Sequence, residues 1–157
     1  MPSSPVCTLL LLLGTVLGAG CRGTPHTREP ATTSPLEAPR AAQAPWEEAS
    51  FERLESRAGT YVLCWRPTGD GVPRNQTFDV EVWLLADGQP VPGAELFVRG
   101  WMPDHGHGML HQPRCVDNGD GSYHVSGMLL HMRGHWQLFF DIVRDGLADV
   151  AGCDLEL

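Results

Sequence analysis

The chain has 157 residues, about one domain's worth, and a formal net charge of −8, which denies it the basic footprint that nucleic acids or anionic lipid surfaces require. Its hydrophobic share of 42% is enough for one core, but little of that share lies in the proline- and alanine-rich stretch before residue 59, which does not read as globular.

In chain order, residues 1–20 read as an export signal. Leu9 to Leu13, Val16 and Leu17 form a short apolar run, and Gly18, Ala19 and Gly20 lead into Cys21. Such a run is too short for a mature membrane-spanning helix and has the length of a signal h-region. Its n-region holds no Lys or Arg. The stretch Leu17-Gly-Ala-Gly-Cys21 resembles the lipobox of bacterial lipoproteins, whose cysteine is acylated and tethers the protein to a membrane. The leucine stands four residues before the cysteine rather than three, so ordinary cleavage after Gly20 stays open. Export places the remaining thiols in an oxidising compartment.

Residues 21–58 read as a tether. Pro25, Pro30, Pro35, Pro39 and Pro45 recur too often for helix or strand, and large apolar side chains are scarce. A brief helix is possible at its end, where Trp46, Phe51 and Leu54 fall loosely on one side, although more tether fits equally well.

Residues 59–157 carry strand patterns. Tyr61 to Trp65 is a short apolar run; Phe78, Val80, Val82 and Leu84 alternate with polar positions and Trp83; Ala94, Leu96 and Val98 form the next strand. Tyr123, Val125 and Leu129 share a face, and Trp136, Leu138, Phe140 and Ile142 alternate through another strand. A last strand spans about Ala148 to Leu157. Turns are expected at Asp87-Gly88, at Asp117 to Gly121 and at Asp145-Gly146. The Asp117 turn does not have EF-hand spacing. The whole predicts an all-β domain, a single immunoglobulin-like β-sandwich of about seven strands.

The chemistry concentrates between Met102 and His135, which holds six of the seven histidines and four of the five methionines. Imidazole and thioether donors together suit copper better than calcium or magnesium. His105 and His107 are two apart, and Gly106 and Gly108 let the backbone bring both rings together. His111 follows, and a second cluster runs from His131 and Met132 to His135 and Trp136 at a later turn. Loops at one end of a sandwich meet, so the two clusters can share a site. The competing reading is structural: imidazoles bonded to backbone carbonyls, and Met128, Met132 and Trp136 filling core volume.

Met102-Pro-Asp-His-Gly-His-Gly-Met109, then Gly121-Ser-Tyr123, then Met132-Arg-Gly-His-Trp136, resemble the signature of YtkA-like domains, whose relatives include FixH-like proteins. The Asp87-Gly-Gln-Pro-Val-Pro-Gly93 turn fits as well, so the resemblance covers about residues 60 to 157. It implies a small exported β-sandwich, often on a membrane anchor and associated with copper handling and respiratory oxidase assembly. Carried over by position, it marks Met102, His105, His107, Met109, Met132 and Trp136. His111, His124, His131 and His135 stand on composition alone.

The expected metal ligands are therefore Met102, His105, His107, Met109, His111, Met132 and His135, with a copper ion as cofactor. Cys21 supplies the lipid anchor, and a protein client in the envelope is the expected partner. No nucleophile motif or metalloprotease motif is present, so no enzymatic activity is expected. Cys64, Cys115 and Cys153 allow one internal disulfide: Cys64 with Cys153 joins the terminal strands, and Cys64 with Cys115 is the rival. The alternative to a copper carrier is an interaction module displayed on the envelope.

Overall fold

The computed structural model describes residues 43–157; the segments expected to be an export signal, a lipid anchor at Cys21 and most of a tether lie outside them. Two antiparallel sheets face each other, as expected of an all-β sandwich. The first takes β1 (Glu52–Glu55), β2 (Val62–Pro67), β3 (Thr77–Ala86), β8 (Ser122–Leu129) and β7 (Arg114–Asp117) in that order, with β4 (Gln89–Pro90) also on β3. The second orders β10 (Leu147–Glu156), β9 (His135–Arg144), β5 (Glu95–Met102) and β6 (His107–Gly108). Among the described residues the strands number ten rather than seven, because two-residue pieces such as β4 and β6 are too short to leave an alternation in the sequence.

Strand alternation sets the core. Val80, Val82 and Leu84 of β3 meet Leu96 and Val98 of β5 and Trp136, Leu138, Phe140 and Ile142 of β9, all of them buried. Residues that alternate on a pleated strand fall on one face, so these periods translate directly into one packed layer. Leu129 departs from its expected face. The β3–β8 register slips between Phe78 and Val80, so that Asp79 alone opposes Ser126 and Gly127. That bulge reverses the alternation after Val125, and Met128 and Leu130 enter the core instead.

Tyr123 ties the two sheets together. Its buried hydroxyl donates to the Val91 carbonyl at 2.8 Å and accepts from the Ala94 N–H at 3.1 Å. A Tyr123→Phe variant leaves both backbone groups unpaired in the core and is expected to lose about 1–3 kcal/mol of stability, read by urea unfolding.

The domain starts before residue 59. A 3-10 turn at Pro45–Glu47 replaces the possible helix, and β1 pairs with β2 from Glu52↔Trp65 to Glu55↔Val62. The 45–51 segment straps the outer face of the first sheet. Trp46 lies against Trp83 with ring centroids 5.0 Å apart, and Arg66 stacks over Phe51 while bonding Glu48 at 2.7 Å. Beneath this strap sits a small second core of Cys64, Trp83 and Leu85.

That position corrects the expected disulfide. Cys64, Cys115 and Cys153 are free thiols. Leu63 and Trp65 face the main core, so Cys64 between them faces the opposite side of the sheet, whereas Cys115 and Cys153 pack against the main core. Neither Cys64–Cys153 nor Cys64–Cys115 can close without turning a strand over. Burial pushes all three thiols up, Cys153 to about 12, with Glu52 and Asp154 adding to its shift. Thiols held protonated at neutral pH are poor nucleophiles. In the folded wild-type chain Cys64 is therefore expected to resist a thiol reagent at pH 7.5. Trp46→Ala should open the strap and speed labelling of Cys64 without speeding that of Cys153, measured by mass spectrometry of the labelled peptides.

Candidate metal centre

The centre is built at one end of the second sheet, where β5 runs out. After Met102 the chain turns on itself, with the His105 and Gly106 N–H groups donating to the Met102 carbonyl at 3.2 and 2.9 Å. It returns as β6, which places His107 directly opposite Met102 in an antiparallel pair. Paired residues point their side chains to the same face, so the His107 ring and the fully buried Met102 side chain share the inward side.

Two glycines make this hairpin possible. A Cβ on Gly108 would lie 2.8 Å from the Gly100 carbonyl oxygen. One on Gly100 would meet Met109 Cγ at 3.1 Å and Trp136 Cε3 and Leu130 Cδ2 at 3.3 Å. Met109 and Trp136 thus close over a strand position that has no side chain. Gly100→Ala is expected to push Met109 and Trp136 apart and to lower metal affinity while the domain stays folded, as read by metal titration beside circular dichroism.

The second half of the centre comes from the loop between β8 and β9. Its conformation is pinned at both ends. The Leu130 carbonyl accepts from the Asn75 N–H at 2.8 Å, and Gly134 and Leu157 exchange two backbone hydrogen bonds of 2.9 and 3.2 Å. Inside this loop His131 stacks on His107, with ring centroids 5.3 Å apart and planes 28° apart. Both rings stand edge-on to Trp136, at 6.3 Å for His107 and 5.7 Å for His131. Trp136 is completely buried and donates its indole N–H to the Met132 carbonyl at 3.1 Å. It is both a core anchor and the floor of the site.

The two imidazoles differ in their hydrogen bonding. His107 Nδ1 lies 3.1 Å from the Gly108 carbonyl oxygen, which fixes that nitrogen as the protonated one in a neutral ring and leaves Nε2 with a free lone pair. His131 Nδ1 is shut off from solvent and has no hydrogen-bond partner. An orphaned buried nitrogen costs about 1–3 kcal/mol, and a cation offered to its lone pair removes that cost. Met102 pairs with His107, Met109 meets Trp136 at Gly100, and the Met132 carbonyl holds the Trp136 indole; all three methionines belong to or pack against the main core. Among the described residues no three His, Cys, Asp or Glu side chains converge. The available donors are therefore two imidazoles with thioethers around them.

The expected ligands divide accordingly. His107 lies at the centre with Met102 paired to it, and Met109 and Met132 lie on the segments that border Trp136. His105 stands at its rim, exposed, with its ring 5.8 Å from that of His107 and tilted by 42°. His111 lies exposed in the following loop and has no ring or hydrogen-bond contact with the cluster among the described residues. His135 is a correction. Because Trp136 points inward, His135 points to the outer face of the second sheet, where its Nε2 lies 2.6 Å from Asp154 Oδ1. His124 is likewise engaged elsewhere, 3.2 Å from Asp79 Oδ2.

The residue missed by motif is His131. Its signal lay in the pairing of a Met/His cluster with a glycine turn just before a strongly apolar strand, which marks a loop at the end of the sandwich.

A profile of the YtkA-like family matches residues 60–140, a span that takes in both loops of the centre. No match was found among curated proteins or among solved structures. The family profile covers just over half of the sequence, and the sandwich it spans is the one described above: this chain belongs to the YtkA-like family.

Proposed function

We propose that this chain is an extracytoplasmic copper-binding lipoprotein, held to a membrane through Cys21, that buffers copper or delivers it to a membrane client such as a respiratory complex. The observation that carries the reading is the His107–His131 stack with its orphaned Nδ1, set against Trp136 on the chain segments that also carry Met102, Met109 and Met132. Two imidazoles and polarizable thioethers form a donor set that suits copper and leaves calcium or magnesium without oxygen ligands. His107 and His131 would hold the ion, and the methionines and Trp136 would exclude water from it. Bound copper would supply a one-electron couple or a transferable cargo. A set of imidazoles and thioethers without a carboxylate base beside it would suit holding and passing on an ion rather than activating a water, which speaks for carriage.

The apolar run before Cys21 and the proline-rich spacer after it support export and tethering. Among the described residues no helix is long and apolar enough to cross a membrane. Equilibrium dialysis of the full chain against Cu(I) and Cu(II) tests the metal, with retention above a histidine-free control as the expected result. Mass spectrometry of Cys21 after expression in a bacterium tests the anchor, and an unmodified thiol there would remove it.

A second reading is an interaction module. Phe97 and Trp101 stand 47% and 41% exposed on the outer face of the second sheet, beside Arg99 stacked over Phe139 at 4.3 Å. Exposed aromatics of this kind are frequent at protein interfaces. This reading expects a chain that takes up neither copper ion yet binds an envelope partner, and that loses the partner in a Phe97→Ser, Trp101→Ser variant.

A further inference from the structure

We infer that the centre is selective for a soft monovalent cation, Cu(I) in the cell and Ag(I) as its redox-inert stand-in, with His107 and His131 as its imidazole ligands and His105 outside the set. The inference rests on the copper-binding reading above and adds the oxidation state and the ligand pair.

Three observations carry it. The donors are neutral. Among the described residues no third His, Cys, Asp or Glu side chain joins His107 and His131 at one point, so no acidic side chain there offsets a second positive charge. The ionic desolvation cost rises with the square of the charge, so a dication entering this pocket pays about four times what a monocation pays.

The pocket is also closed on its inner side. Met102 and Trp136 are fully buried, and His131 Nδ1 is sealed from solvent. That nitrogen has neither a water-exposed surface nor a backbone oxygen as partner, so an ion on it meets protein rather than solvent on that side. Thioethers and imidazoles are instead sufficient for Cu(I), whose filled d shell imposes no square-planar demand.

The third observation is the order of the rings. His105, His107 and His131 run from exposed to half-buried, with a sealed nitrogen at the inner end and centroid steps of 5.8 and 5.3 Å. The His107–His131 pair is near parallel and backed by Trp136, whereas His105 is tilted away and has solvent on its outer side. An ion held by two of the three rings is therefore held by the inner pair, and at their edges, because an imidazole lone pair lies in the ring plane.

The test uses the full chain, reduced and anaerobic. Imidazole nitrogen resonances are followed by NMR as Ag(I) is added, because free thiols also take up this ion and bulk uptake alone does not locate it. The expected result is that the nitrogens of His107 and His131 shift while those of His124 and His135 stay in place. Competition with a Cu(I) chelator, beside a Cu(II) titration, should give Cu(I) an affinity at least about a hundredfold higher. His131→Ala should lose about a hundredfold in Cu(I) affinity, and His105→Ala should stay within about threefold. If His131→Ala does not fold, the wild-type NMR titration decides alone.

Cu(II) bound as tightly as Cu(I), with His105 shifting, overturns the inference and leaves the copper reading standing. Uptake of Ag(I) with unmoved imidazoles means thiol binding and overturns it too. A wild-type chain that binds neither copper ion overturns both.

Discussion

A His107→Ala, His131→Ala double variant is expected to lose copper binding and with it all copper-dependent stabilisation. Copper at a hundredfold its dissociation constant should stabilise the wild-type fold by about 2.7 kcal/mol, less whatever the unfolded chain binds through its thiols. For a domain of this size that is on the order of 10 °C in melting temperature. The double variant should show no such rise. Its metal-free stability should change little: losing a stacked pair costs about 0.5–1.5 kcal/mol beyond the lost area, and the unpartnered His131 Nδ1 disappears with it, which offsets part of that loss. Differential scanning calorimetry with and without copper measures both quantities in one series. A melting temperature that rises equally in both proteins would place the copper somewhere else.

Trp136→Ala should be the most damaging single change in the domain. The side chain is completely buried, and its indole N–H holds the Met132 carbonyl at 3.1 Å. Truncation opens a large cavity in the main core and frees the loop that carries His131. A loss of about 3–5 kcal/mol is expected, which is a large part of the 5–15 kcal/mol typical of such a fold. Metal affinity should fall with it, because both imidazoles rest edge-on against that ring. Trp136→Phe tells the two effects apart. It keeps an aromatic floor and most of the volume but no N–H, so stability should largely recover while the loop at Met132 stays loosened. Chemical denaturation gives the first quantity and copper competition the second. Equal stability of Trp136→Ala and wild type would deny the ring its place in the core.

Both predictions depend on residues whose roles the sequence conveyed unequally. Trp136, Leu138, Phe140 and Ile142 alternate without interruption, and the pleat converts that period into one buried face whatever their neighbours are. The same holds for Val80, Val82 and Leu84. The hairpin at Asp145-Gly146 was equally legible, since both residues take the positive φ angles, 51° and 76°, that such a dipeptide favours. Leu129 shows where the period fails. One bulge shifts the register; Gly127, at φ 80° within the strand, is its local mark, but where each leucine falls beyond it is set by pairing with β3.

The centre itself was half legible. Met102 through Met109 is a dense local motif, and its internal pairing, Met102 opposite His107, follows from a turn of four residues. His131 lies 24 positions later, and its partnership with His107 exists because two loops meet at one end of the sandwich. His135 shares its neighbours and composition with His131 but belongs to a strand, and the inward turn of Trp136 sends it to the opposite face, onto Asp154. The cysteines obey the same rule: parity along β2 hides Cys64 under the 45–51 strap, out of reach of Cys153.

By itself the sequence determined the all-β class, the alternating core strands, the tight turns, and a Met/His-rich segment suited to a soft metal, because periodicity, turn chemistry and donor type are local properties. Tertiary structure alone decided which two imidazoles face each other, which histidine turns away and which thiols stay apart. Those depend on strand register and loop packing, which are set by contacts between residues far apart in the chain.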